Sequence, residues 1–173
     1  LGQFTETTSF DAADRPLITK DENGIETRMA YDTLGRLKTV KRAFGTALEA
    51  LTTLTYNFNG DLTQVDAPNG ATVTYSYDNA RRLTTVTSGD NEKIEYTYNN
   101  LGNVTSTVIK SAANAIVFNQ TQAFDELGRL LRHIGAASQT TTFGYEKNDN
   151  LKTVTDPRSG VYAYAYDAVN RLI

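Results

Sequence analysis

Acidic side chains recur in this chain directly after an aromatic residue, and carboxylates on a regular scaffold are the groups from which hydrolytic and calcium-binding sites are built. The acid, or an amide in its place, stands at eight positions: Asp11, Asp32, Asn57, Asp78, Asn99, Asp125, Glu146 and Asp167. A glycosidase needs one unique pair of carboxyl groups, about 5 to 10 Å apart. Because the acid here repeats in every copy, we predict no catalytic residue and no enzymatic activity.

Other chemically versatile side chains are scarce. The chain has no cysteine and a single histidine, His133, so thiolate and multi-histidine metal sites are excluded. His133 occupies a position at which other copies have Val40, Val65, Val86 or Val154, so we predict an ordinary strand residue. The acids also lack the spacing of a calcium loop. We therefore predict no metal site and no cofactor.

The aromatic residues before the acids divide the chain into repeats. They stand at positions 10, 31, 56, 77, 98, 124, 145 and 166, at intervals of 21, 25 or 26 residues. Such periods are the signature of repeat architectures. We expect a partial preceding unit at residues 1–9 and eight repeats over residues 10–173, the last one truncated, within a larger protein.

Each repeat has a motif of seven columns: aromatic, acid or amide, two variable residues, a glycine-like residue, often Arg, and an apolar residue. The acid is predicted to bond the backbone in an Asx turn, and the fifth column to adopt a left-handed backbone. An Arg in the sixth column is placed to pair with the acid. We expect this structural repeat motif to include Tyr31, Asp32, Gly35, Arg36, Leu37, Tyr77, Asp78, Arg82, Leu83, Tyr98, Gly102, Phe124, Asp125, Gly128, Arg129, Leu130, Tyr166, Asp167, Arg171 and Leu172.

Two strands per repeat position these turns. Residues alternate before each aromatic, as in 73–77 and 94–98, which places aromatics on one face of a strand. A second strand follows the turn, for instance at 83–87. Leu83 and Val86 differ in strand parity, which predicts either a bulge or a Leu within the turn. The predicted fold class is all-β, with antiparallel β-hairpin repeats forming a continuous coiled sheet.

Two repeats, 31–55 and 98–123, contain extra residues, and their starts are 67 residues apart. We expect long hairpin tips there, at an interval of three repeats. The interval indicates a superhelical pitch, an ancestral duplication or two unrelated insertions.

Charge and hydropathy exclude two classes of partner. Seventeen basic and twenty acidic residues are interspersed and give a net charge of −3, so no basic surface for nucleic acid is predicted. No run of 18 apolar residues is present, so we predict no membrane span and no signal peptide in this sequence.

Repeats of Tyr-Asp-x-x-Gly-Arg-Leu at this spacing resemble the Rhs/YD-repeat family of bacterial polymorphic toxins, toxin-complex B and C subunits, wall-associated proteins and teneurins. The resemblance implies a sheet that spirals into a hollow shell enclosing a C-terminal toxin, in a secreted or cell-surface protein of bacterial origin. The implied partners are flanking repeats of the shell, the enclosed toxin, a secretion spike and cell-surface glycan. Only residues 156–160 approach the family's self-cleavage motif, and we predict an ordinary turn there.

A binding module is the alternative function. Tyrosines at two-residue spacing, as in 162–166, form rows that are suited to stacking on sugars, although cross-strand packing also explains them. The alternative is therefore an extracellular repeat module for carbohydrate or receptor binding and adhesion.

Overall fold

The computed structural model describes residues 5–173, which form strands and turns without a helix. Threonine is the most frequent residue of the strands, and valine and tyrosine are common, as expected from their preference for pleated surfaces. The fifteen strands are β1 (Thr5–Phe10), β2 (Pro16–Asp21), β3 (Glu26–Tyr31), β4 (Leu37–Arg42), β5 (Ala50–Tyr56), β6 (Leu62–Asp66), β7 (Thr72–Tyr77), β8 (Leu83–Ser88), β9 (Lys93–Tyr98), β10 (Val104–Lys110), β11 (Ile116–Phe124), β12 (Leu130–Ile134), β13 (Thr140–Tyr145), β14 (Leu151–Thr155) and β15 (Val161–Ala163).

The strands belong to two compact units. One unit comprises Leu1–Arg82 with Thr87–Gly89, and the other comprises Leu83–Val86 with Asp90–Ile173. In the first unit, consecutive strands from β1 to β7 pair in antiparallel orientation. In the second unit, the strands from β9 to β15 do the same. The predicted all-β fold of antiparallel hairpins is confirmed. Of the partial unit predicted at residues 1–9, residues 1–4 lie outside the described part.

A β-bulge follows the motif turn in six hairpins whose register is described. Tyr31 lies opposite Leu37, but Ala30 lies opposite Thr39, so Lys38 has no partner in the register. The same shift occurs in the β1–β2, β5–β6, β9–β10, β11–β12 and β13–β14 hairpins. The bulge restores the parity that Leu and Val at a spacing of three would otherwise break. Of the two alternatives predicted for this spacing, a bulge or a Leu within the turn, these six hairpins have the bulge, for instance between Leu37 and Val40.

Residues 6–173 form no buried core in either unit, since none of their hydrophobic side chains is fully buried. The contacts between strands in this described part join consecutive strands. The motif tyrosines are half-buried, and Phe10 is 53% exposed. The motif aromatics therefore lie on a single layer of strands, and their neighbours in the sheet cover them only in part.

The two insertions have different structures. The β4–β5 connection is a long loop over residues 43–49, in which the ring of Phe44 lies 3.4 Å from the guanidinium carbon of Arg28. In β10–β11 the extra residues lengthen the strands to 7 and 9 residues, and the connection over residues 111–115 is an ordinary five-residue turn. The expectation of a long tip is correct for the first insertion and wrong for the second.

Candidate functional site

Eight turns carry the repeat motif, and we call them the Tyr–Asp turns. They span residues 11–15, 32–36, 57–61, 78–82, 99–103, 125–129, 146–150 and 167–171. In each turn the N–H of the first residue donates to the carbonyl of the fifth, and the N–H of the fourth donates to the carbonyl of the first. In the turn 32–36 both N···O distances, Asp32 to Arg36 and Gly35 to Asp32, are 2.9 Å.

The fourth residue of every Tyr–Asp turn, which is the fifth column of the motif, has a positive φ. The positions include Gly35 at 82° and Asn170 at 62°, as predicted for residues that tolerate this conformation. Arg81 adopts it as well, with φ at 63°, although an arginine has no intrinsic preference for it. The turn therefore imposes its backbone on whichever residue stands there.

The acid of the motif bonds both the backbone and the arginine of its own turn. Asp32 Oδ1 accepts the N–H groups of Leu34 and Arg36 at 2.9 Å, and Oδ2 accepts Arg36 Nε at 2.7 Å. Asp11, Asp78, Asp125 and Asp167 have the same arrangement. The acid thus closes an Asx turn and holds the arginine in one orientation.

These bonds keep the carboxylates ionised. The backbone N–H of Arg36, together with its guanidinium, lowers the pKa of Asp32, and Arg82 does the same for Asp78. Burial raises the pKa of Asp125, but the backbone and side-chain bonds from Arg129 outweigh it and lower the pKa overall. A general acid in a glycosidase needs a raised pKa. These carboxylates are shifted in the opposite direction.

The hydroxyl groups of the motif tyrosines bond the preceding repeat. Each donates to the carbonyl of the apolar residue that ends the preceding motif. The pairs are Tyr31 with Pro16 at 2.9 Å, Tyr56 with Leu37 at 2.8 Å, Tyr77 with Leu62 at 2.8 Å, Tyr98 with Leu83 at 2.6 Å, Tyr145 with Leu130 at 2.9 Å and Tyr166 with Leu151 at 3.0 Å. Sequence reasoning missed this bond; the preference for Tyr over Phe in six of the eight aromatic positions was the available signal.

The arginines of the motif also reach the following repeat. The guanidinium carbon of Arg15 lies 4.6 Å from the ring centroid of Tyr31, that of Arg36 lies 4.6 Å from Tyr56, and that of Arg129 lies 4.8 Å from Tyr145. Such stacking is a cation–π interaction. Each of these arginines therefore bonds the acid of its own turn and covers the aromatic ring of the next.

Side chains of neighbouring turns also contact each other, and the pair of residues that meet changes where the motif departs from its usual residues. The sixth column of one turn lies against the fifth column of the next, and Arg15 Nη1 occupies the space that a side chain at position 35 would need. Asp61 pairs instead with Arg81 at 2.5 Å, and Arg129 with Asp149 at 2.6 Å. Asn150 Nδ2 donates to Asn170 Oδ1 at 3.0 Å. We call this series of contacts the turn ladder.

The remaining candidate groups have ordinary surroundings. His133 lies in β12 opposite Gln122 and Thr141, with Nε2 3.4 Å from Gln120 Oε1. Asp156 Oδ1 accepts the N–H groups of Arg158 and Gly160 at 2.8 Å, so residues 156–160 form a turn of the ordinary kind predicted there. Among residues 5–173, no group of three or more His, Cys, Asp and Glu side chains is placed to hold a metal ion.

A shallow cavity of about 170 Å³ lies beside the turn 32–36, between Asp32, Arg36, Lys38 and the strand residues 53–56. Asp32 and Arg36 are bonded to each other there.

In the described part of the chain, no helix is long and apolar enough to cross a membrane.

Comparisons with known proteins agree with this geometry. The sequence profile of the teneurin YD-shell family matches residues 3–122 and 93–173. The fold is similar to the crystal structures of TcdB2–TccC3 with Cdc42, at a TM-score of 0.78 and 23% identity, and of TcdB2–TccC3 without its hypervariable C-terminal region, at 0.77 and 22%. It is also similar to the Tc holotoxin pore of Photorhabdus luminescens, at 0.76 and 21%.

These matches cover 98 or 99% of this chain, which spans about a tenth of each of those chains. No protein among the curated sequences matches. The predicted resemblance to YD-repeat proteins is confirmed, because the two ranges matched by the profile overlap and together extend from residue 3 to residue 173. The chain therefore belongs to the teneurin YD-shell family.

Proposed function

We propose that this structural shell segment encloses a C-terminal toxin or another polypeptide cargo and has no turnover of its own. The observation that carries the proposal is the turn ladder together with the tyrosine hydroxyl bonds, because both join one repeat to the next. In this proposal the eight repeats over residues 10–173 are successive elements of a wall. The motif residues, such as Tyr31, Asp32 and Arg36, hold the wall together.

A wall that encloses cargo needs stiffness more than reactive groups. Each motif tyrosine bonds a carbonyl of the preceding repeat, and each stacked arginine bonds both its own acid and the next ring. The single layer leaves two faces available, one for cargo and one for the surroundings. The partners in this proposal are flanking repeats and the enclosed polypeptide, and the proposed location is secreted or at a bacterial cell surface.

Limited proteolysis of the complete gene product tests the enclosure. We expect the polypeptide that follows the repeats to resist protease in the native protein. It should become sensitive when Tyr77 and Tyr145 are both replaced by alanine, which removes two bonds between repeats. The replacement of Ser76, an exposed strand residue, by alanine is the matched control and should leave the resistance unchanged. Cleavage of the cargo at the same rate as in isolation would rule out enclosure, as would a density map in which the repeats have no lumen.

The alternative function is a carbohydrate-binding surface. Tyr162 is 55% exposed and lies two residues from Tyr164 and four from Tyr166, as a stacking platform would require. Glycan-array binding by the purified chain that disappears in the Tyr162→Ser variant would favour this function over enclosure. Absence of binding to every glycan would leave enclosure as the better explanation.

A further inference from the structure

The lengthened β10–β11 hairpin has an edge that no neighbouring strand covers. Pairing between β11 and β12 ends where Thr121 lies opposite Ile134. Pairing between β11 and β10 continues to Ile116, opposite Lys110. On the side away from β10, the segment Ile116–Gln120 therefore has no strand partner within the described residues. We call this segment, roughly 17 Å long at 3.4 Å per residue, the free edge.

The free edge lacks the features by which proteins protect unpaired strands. Charged side chains, prolines and short length are the usual protection. No charged residue and no proline occurs between Ser111 and Phe124. The nearest charge, on Lys110, is held by Glu95 at 2.8 Å. Ile116 and Val117 are 61% and 63% exposed, so the edge presents apolar side chains as well as unpaired backbone groups.

Strand β5 also has an unpaired edge, and this second edge is shorter and has charged residues beside it. In β5, pairing with β6 ends at Thr53, so residues 50–52 also lack a partner on that side. That segment has three residues rather than five. Charges flank it, because Lys41 lies opposite Leu51 and bonds Glu49 at 3.3 Å. The free edge of β11 is therefore longer and less protected than its counterpart in β5.

We propose that the free edge pairs with the free edge of a second copy of this chain, antiparallel and across a two-fold axis. An unpaired strand is satisfied by another strand, and two-fold interfaces use the same surface on both copies. Because the free edge has no charged residue, pairing it with the same segment of a second copy brings no like charges together. With the axis at Phe118, the middle of the edge, Phe118 faces Phe118 of the partner subunit. Val117 then lies opposite Asn119, and Ile116 opposite Gln120.

Sedimentation of the 173-residue chain over a range of concentrations tests the interface. We expect a dimer that dissociates at least ten-fold more readily in the Val117→Lys variant, because two lysines then lie on the shared edge. Ser76→Lys places the same side chain on an exposed position of β7 and should dimerise as the unchanged chain does. A chain that is monomeric throughout would overturn the proposal. So would dimers that survive Val117→Lys, since they would use another surface.

Cysteine cross-linking tests the register and does not depend on the stability of the lysine variant. The chain has no cysteine, so introduced thiols are the only ones present. Directly opposite residues in an antiparallel pair have Cα atoms about 4.5 to 5.5 Å apart, within the range of a disulfide. A mixture of Val117→Cys and Asn119→Cys chains should form a disulfide-linked dimer at least five-fold faster than either variant alone. Equal rates in the mixture and in the separate variants would contradict the proposed pairing.

Discussion

The two ends of the hairpins have the same backbone but different side chains. Five turns at the ends opposite the Tyr–Asp turns, which we call the opposite tips, span residues 21–25, 67–71, 111–115, 135–139 and 156–160. Each has the two backbone bonds found in the Tyr–Asp turns. Asp21 N donates to Ile25 O at 3.2 Å, for instance, and Gly24 N to Asp21 O at 2.9 Å. The fourth residue again has a positive φ in all five tips, and it is Gly24, Gly70, Asn114, Ser138 and Ser159 in turn.

The opposite tips achieve this backbone without the repeat motif. Their first residues are Asp21, Ala67, Ser111, Gly135 and Asp156, so an acid is not required to form the turn. The Tyr–Asp turns differ by their contacts with the neighbouring repeat, through the tyrosine hydroxyl, the stacked arginine and the turn ladder. The backbone shape of the turn does not require the motif residues. Their recurrence is explained by the contacts that they make with the neighbouring repeat.

The largest effect is expected from Tyr77→Ala. The change removes a half-buried ring and the 2.8 Å bond from its hydroxyl to the carbonyl of Leu62. We expect the free energy of unfolding to fall by about 2 kcal/mol, less than for a fully buried aromatic. Tyr162→Ala, at an opposite-tip strand where the ring is 55% exposed, should cost less than half as much. Denaturant unfolding measures both, and equal costs would remove the distinction between the two ends.

Glycine replacement separates the shape of the turn from contact between repeats. Gly24 and Gly35 have φ angles of 76° and 82°, but only at Gly35 would an added side chain meet Arg15. We expect Gly24→Ala to cost about 1 kcal/mol for the left-handed backbone. Gly35→Ala should cost about 2 kcal/mol, because Arg15 must also move off the ring of Tyr31. The comparison fails if thermal unfolding gives the two variants the same stability.

The tyrosine hydroxyl bond is tested by Tyr31→Phe, which keeps the ring and removes the donor to the carbonyl of Pro16. The expected loss is about 1 kcal/mol, the usual net value of one hydrogen bond. Phe124→Tyr is the reverse change in a repeat that lacks the hydroxyl and should stabilise the chain slightly. Calorimetric melting of both variants checks the sign, and a stabilising Tyr31→Phe would contradict the assignment.

The smallest effect is expected from lowering the pH, which reduces the stability that Asp32 provides. Since the bonds from Arg36 lower the pKa of Asp32 below its ordinary value of 3.8, the stability that they provide is fully present above that value. It is lost as the pH falls through the lower pKa of the folded chain. Asp32→Asn should therefore destabilise at pH 7 and progressively less below about pH 4. Asn69→Ala, at an opposite tip, removes a group that does not titrate and should have the same effect at each pH. Urea unfolding between pH 7 and 3 distinguishes the two profiles.

Local features of the fold were predictable from the sequence. The alternation at 73–77 indicates a strand that the structure places at Thr72–Tyr77, and the spacing of Leu83 and Val86 predicts the kind of bulge seen at Lys38. These features depend on residues close together in the chain, whose preferences act over a few positions.

Contacts between repeats were not predictable in the same way. The carbonyl that accepts the hydroxyl of Tyr77 belongs to Leu62, fifteen residues earlier in the chain. Arg81 forms an ion pair with Asp61, twenty residues earlier. Neither pairing follows until the registers of the intervening strands are fixed. The half-burial of the aromatics was not predictable either, because alternation shows which residues share a face but not whether a second layer covers that face.

The turn ladder has a consequence for how such proteins change by recombination. In a turn such as 32–36, the fifth-column glycine leaves room for the arginine of the preceding turn, and the sixth-column arginine can lie against the glycine of the next turn. A duplicated copy of such a repeat would therefore fit the turns on both of its sides. The Asp61–Arg81 and Arg129–Asp149 contacts are specific to their partners, and exchange of one repeat alone would leave a charge facing the wrong neighbour. A repeat with the full motif could therefore be exchanged singly, whereas a divergent repeat would have to be exchanged together with its partner.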